Sequence, residues 1–218
     1  MNSENSSLTE LQHIKQMMER STRFSSLSGF SGIAAGICSL VGLWLAVNTI
    51  KTWENTGGRF AAIPTDQFAL KLLLIAIGTL VAAAVFSFIF VYLRCRKLGI
   101  PVFGLSARRV TYNMAIPIFM GGLFILRLAT VGSYELMTSA SLIFYGLALI
   151  NASKYTLKEI RTLGFIELGI GLINLWFLQY GLVFWAIGFG AMHIIYGSLI
   201  WWRYERKELT QLPTAAHE

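Results

Sequence analysis

Residues 68–93 read FALKLLLIAIGTLVAAAVFSFIFVYL, a run whose only charge is Lys71. At about 1.5 Å per residue, a helix of that length exceeds the roughly 30 Å hydrocarbon core of a bilayer. The run therefore predicts a transmembrane helix. Arg94-Cys95-Arg96-Lys97 closes it, and Gly99 followed by Pro101 gives a helix stop. Lys71 lies near the opposite end, where a long side chain reaches the surface by snorkelling.

Working outward, five further apolar segments predict spans at about 28–50, 112–131, 135–151, 161–179 and 182–202. The composition agrees: only 13% of the 218 residues are charged and 55% are hydrophobic, against about 25% charged in soluble domains. The first span carries Gly32-x-x-x-Gly36, which lets another helix approach closely. The third contains Pro117 with Gly121-Gly122, which predicts a kink. The fifth and sixth are joined by Gln179-Tyr180-Gly181 and are expected to be antiparallel neighbours. Asn55-Thr56-Gly57-Gly58 marks a turn between the first two. Ahead of the bundle, Ser7 and Glu10 form a capping box. Leu8, Leu11, Ile14 and Met18 recur at helical spacing, so 1–27 reads as an amphipathic helix lying on the membrane surface or packing under the bundle.

The net charge of +7 raises nucleic acid as a partner, but the charges sit at helix ends and no nucleic-acid module is present. Three Lys or Arg precede the first span, five lie between the second and third, three between the fourth and fifth, and three follow the sixth. The opposite face has Lys51 and Arg59. Fourteen against two orients the bundle with both termini in the cytoplasm. The expected fold is thus an all-α integral membrane protein: a six-helix bundle over 28–203, an N-terminal cytoplasmic amphipathic helix, and a short cytoplasmic tail, 204–218. Cys38 and Cys95 fall at different depths, so no disulfide is expected.

The residues that hydrocarbon should exclude are the candidate site: Glu167 and Asn174 in the fifth span, His193 in the sixth and Arg127 in the third. Counting rises places Glu167 roughly 9 Å and His193 roughly 14 Å from the cytoplasmic end, so a contact across antiparallel neighbours is feasible. Arg127 and Asn174 share a depth of roughly 20–22 Å; Glu135 is the other partner open to Arg127. Such groups either exchange protons or bind a ligand, or tie helices together through hydrogen bonds. No Walker A loop, H-E-x-x-H, C-x-x-C or G-x-S-x-G is present, and Gly188-Phe189-Gly190 is too short for a dinucleotide fingerprint. No catalytic residue, metal site or cofactor is expected, and an enzyme is the weaker class.

Several stretches carry a resemblance: Ser21-Thr22-Arg23-Phe24 leading into Ser28-Gly29-Phe30-Ser31-Gly32, then Ile100-Pro101-Val102-Phe103-Gly104, Lys154 to Arg161, and Phe184 to Gly190. Together they resemble a group of uncharacterised bacterial six-helix inner-membrane proteins. The resemblance covers nearly the whole chain and implies the bundle fold and the bacterial inner membrane. It brings no activity and no site residues. Two functions stay open. One is a small-solute or proton-linked transporter or channel-like protein using Glu167, His193, Arg127 and Asn174, with the kink at Pro117, Gly121 and Gly122, expected as a homodimer. The other is a scaffold or sensor whose N-terminal helix or basic loop (94–111) docks a soluble cytoplasmic partner or anionic lipid.

Overall fold

A computed structural model of the chain describes residues 28–55 and 66–206. The expected amphipathic helix, the turn beyond Asn55 and the tail from residue 207 lie outside the described residues. Those described are helical, joined by short turns. We label the helices α1 (Gly29–Asn55), α2 (Asp66–Lys97), α3 (Leu105–Thr130), α4 (Leu136–Ala152) and α5 (Lys158–Asn174). The last, α6, runs through four consecutive segments: Gly181–Trp185, a π-helical Ala186–Met192, α-helical His193–Ile200 and π-helical Trp201–Glu205. Five of the six are long and apolar enough to cross a membrane. At 17 residues, α5 is roughly 26 Å long.

Most helices extend past the apolar runs that announced them, because a helix continues into the interface after its hydrophobic stretch ends. In contrast, α5 stops five residues short of the expected 179. The amides of Leu175, Trp176 and Phe177 each bond back three residues, tightening its last turn. A 3₁₀ turn, Leu178–Tyr180, leads into α6. The outer surface is that of a membrane protein. The most apolar stretch of α2 buries no residue, and Leu74, Leu80, Phe119 and Trp44 all stand more than half exposed, a display that water would not tolerate.

Between such helices hydrocarbon offers no hydrophobic drive, so association depends on close packing. Glycines supply it at two crossings. Where α1 meets α6, a Cβ at Gly197 would lie 2.6 Å from the Gly29 carbonyl oxygen, and one at Gly36 would lie 2.8 Å from that of Gly190. Gly32 of the expected close-approach motif faces Gly197 at the same crossing. Where α4 meets α5, Gly146 and Gly164 face each other's carbonyls, at 2.7 and 2.9 Å from the would-be Cβ atoms. The helices form an incomplete ring: α2 packs on α1, α1 on α6, α6 on α4 and α5, and α4 on α3. Among the described residues, α2 and α3 make little backbone contact with each other.

The third span was expected to kink at Pro117, Gly121 and Gly122; α3 runs as one uninterrupted helix through all three. Proline has no amide to offer the carbonyl four residues back, here that of Asn113. The Asn151 side chain of α4 donates to that oxygen at 2.8 Å, so the orphan acceptor becomes a tie between helices. Gly121 receives Phe144 of α4, and Gly122 faces open space.

Two expectations follow for purified protein in detergent. Gly197→Leu forces a side chain into backbone that cannot yield, so its cost should reach or pass the upper end of overpacking, about 3 kcal/mol, read as a lower melting temperature. Asn151→Leu should cost about 1–2 kcal/mol. In a Pro117→Ala background that loss should shrink, because the restored amide takes the Asn113 carbonyl; equal losses in both backgrounds would refute the pairing.

Candidate functional site

Glu167 faces inward from α5 and is wholly buried. Glycine at 188 makes the space for it, since a Cβ there would lie 2.5 Å from both Glu167 Oε2 and Leu142 Cδ2. One turn further along α6, His193 is 6% exposed and its Nδ1 lies 3.4 Å from Glu167 Oε1. The same nitrogen is 3.1 Å from the Gly188 carbonyl, five residues back, the register of the π-helical segment. The Gly188 carbonyl can only accept, so a proton on Nδ1 satisfies it. On the far side of the ring, Nε2 meets the Tyr145 hydroxyl of α4 at 2.8 Å. Tyr145 donates to a neutral His193 and accepts from a charged one.

The result is a chain, Tyr145 to His193 to Glu167, spanning three helices. Neither carboxyl oxygen of Glu167 has a hydrogen-bond partner among the described residues. An isolated buried carboxylate costs several kcal/mol, and the His193 imidazole stands 3.4 Å from it. Phe189 packs against both rings of the Tyr145–His193 pair and excludes solvent from one side.

On its open side the chain borders a cavity of about 180 Å³. Tyr145 and His193 close its deep end, and Ser28, Thr156 and Ile200 lie toward the basic end of the bundle. All six helices contribute to the walls, which are almost wholly apolar.

The other two expected site residues lie elsewhere. Asn174 is buried, two turns from Glu167 on α5, and its amide donates to Ser139 of α4 at 2.8 Å. Its own oxygen has no partner among the described residues. Arg127 is exposed on α3 and bonds only within its own helix end, to Thr130 Oγ1 at 3.3 Å. It meets neither Asn174 nor Glu135. Equal depth does not fix which way a side chain points, and each residue turns the helix face by about 100°.

Three groups were missed from sequence. Tyr145 sits mid-span, one position before a crossing glycine, and its hydroxyl was the available signal. At the basic end Glu205 pairs with Arg94 of α2 at 2.7 Å and accepts from Ser28 and from the Gly29 amide that opens α1. A carboxylate there also offsets the helix dipole. Beside it, Glu159 of α5 binds Arg203 at 2.7 Å and the Tyr204 hydroxyl at 3.1 Å. Their partners Arg94 and Arg203 had been counted only for orientation, and the two glutamates had not been read at all.

Among the described residues no three His, Cys, Asp or Glu side chains converge as a metal site would require. No protein-family profile, curated protein or solved structure matches the chain.

Partial burial pushes the Glu159 carboxyl up, but its bonds from Arg203, the backbone and Tyr204 outweigh this and hold it below the usual carboxylate range. With the folded value below the unfolded one of about 4.3, the stabilisation is present above that pH and is lost as pH falls through the lower folded value. Glu159→Gln should therefore melt below wild type at neutral pH, and the gap should close below about pH 4. A gap that persists there would dissociate it from this carboxylate.

Proposed function

We propose that the protein is a proton-linked transporter of small solutes, in which Glu167 and His193 exchange the coupled proton and Tyr145 connects them to the solute cavity. The observation that carries this reading is the Glu167–His193 contact at 3.4 Å, closed to solvent behind and bordered in front by a cavity on which all six helices converge. A pair built only to join helices would satisfy its acceptors; Glu167 leaves both oxygens without hydrogen bonds among the described residues. Partially satisfied buried polar groups are costly, and a titrating group in a transport path accounts for keeping one. Ionisable residues within spans mark such paths.

The excess of Lys and Arg on one face supports an orientation with both termini in the cytoplasm, and the resemblance implies a bacterial inner membrane; in that orientation the cavity lies in the cytoplasmic half. The small size of the bundle favours a homodimer as the working unit. The broken register used for binding in many transporters is assigned here to the π-helical part of α6 rather than to Pro117.

The purified chain in liposomes loaded with a pH-sensitive dye provides the test. Solute-dependent proton flux should fall at least tenfold in Glu167→Gln and in His193→Ala, and less in Tyr145→Phe, with melting curves confirming that each variant is folded. Unchanged flux in folded Glu167→Gln and His193→Ala would end the proposal.

A further inference from the structure

The cavity's shape and lining bear on what it takes. Its walls come from Val110 and Met114 of α3, Leu149 of α4, Leu163 of α5 and Ile200 of α6, with Ser87 on the α2 side. Ser87 is already engaged, donating to the Ser31 carbonyl at 3.1 Å. The polar functions at the deep end belong to Tyr145 and His193. An apolar pocket with a small convergent polar group holds a molecule of the same design, an apolar body with one polar head.

The route in follows from packing. Among the described residues the neighbouring helices of the ring pack closely except α2 and α3, which bring Ser87 and Met114 to the cavity wall. Both helices expose apolar side chains along their length: Leu80, Val85, Phe119 and Leu123 are each at least half exposed. The gap therefore faces hydrocarbon, and a molecule already dissolved in the bilayer reaches the cavity sideways without crossing water.

We infer that the solute is a membrane-soluble weak acid, a single carboxylic acid on a short alkyl body, which enters between α2 and α3 with its head toward Tyr145. This rests on the proton-linked reading and names its substrate class. Tyr145 donates its proton to a neutral His193 Nε2, which leaves the phenol oxygen able to accept. The acid O–H bonds to that oxygen. On transfer the acid gives its proton to Tyr145 as Tyr145 passes its own to Nε2. The products are the carboxylate anion, an unchanged phenol and an imidazolium whose Nδ1–H faces Glu167. One O–H bond breaks at the acid, one N–H bond forms at His193, and net charge is conserved. An alcohol or an alkane of the same length fits the walls but has no proton to deliver.

Photolabelling of the full chain in lipid nanodiscs tests this with octanoic acid bearing a terminal diazirine. Cross-links should concentrate on the α3 and α4 walls around Met114 and Leu149, and excess octanoic acid should reduce them at least tenfold, while octanol and octane should not. Met114→Trp, which fills the cavity, should lower labelling at Leu149 at least tenfold; competition on the unaltered protein supplies the same information if that variant does not fold. Labels spread evenly over the outer faces of α2 and α3, or equal competition by octanol, would overturn the inference. Labelling needs no flux, so the outcomes separate. Absent labelling with Glu167-dependent flux retained removes the weak acid alone, while specific labelling with Glu167-independent flux removes the proton coupling.

Discussion

The crossing of α1 and α6 at Gly29, Gly32 and Gly197 sets the frame for the interior. With backbone against backbone, the two helices meet at the basic end as closely as helices can, and α6 is held in one rotation about its axis. That rotation turns His193 and Gly188 inward toward α4 and α5. The second glycine crossing, Gly146 on Gly164, fixes α5 in the same way and so aims Glu167 at Gly188. Hydrocarbon contributes no net attraction between apolar faces, so it is these close approaches that decide which side chains face one another.

The π-helical segment of α6 contributes to the same placement. A regular α-helical register would advance about 100° per residue from Trp185 to His193; widening the turns over Ala186–Met192 changes the angle at which His193 leaves the helix. It also brings the Gly188 carbonyl under Nδ1 at 3.1 Å, while the missing side chain at 188 admits Glu167 Oε2. One local departure therefore orients the imidazole and accommodates the carboxyl together. Either feature alone would be ordinary packing. Their coincidence on one glycine is what makes this part of α6 the candidate site.

Sequence was informative where length and charge decide and weak where azimuth does. Runs such as Phe68–Leu93 announced all six helices, and Gly32-x-x-x-Gly36 announced a close neighbour without saying that it would be α6. Antiparallel adjacency plus depth was enough to bring Glu167 and His193 together. The same arithmetic failed for Arg127, because depth says nothing about which face of α3 an arginine occupies. Nor does local sequence show that the acceptor Pro117 vacates is taken by Asn151, a residue far away in sequence. Gly188-Phe189-Gly190 was set aside as too short for a dinucleotide fingerprint, and Gly190 receives Leu40 of α1. That Gly188 makes room for a carboxyl depends on a helix pairing that no local pattern encodes.

The two ends of the bundle are held by different physics. At the basic end α6 is tied by charge to α1, α2 and α5 through Glu205 with Arg94 and Arg203 with Glu159. The Arg94–Glu205 pair is largely buried, with side-chain exposures of 7% and 15%, so salt and water screen it far less than an open pair. At the other end the polar ties are single neutral hydrogen bonds, Trp185 to Ser39 and Asn174 to Ser139, each worth about 1 kcal/mol net. Between them lies the π-helical segment, where the helical register of α6 is already altered. A displacement of α6 therefore costs least at the Trp185 end and most at the Glu205 end. That asymmetry leaves the Glu167–His193 pair next to the more easily moved half of the helix, while the mouth of the cavity stays with the anchored half.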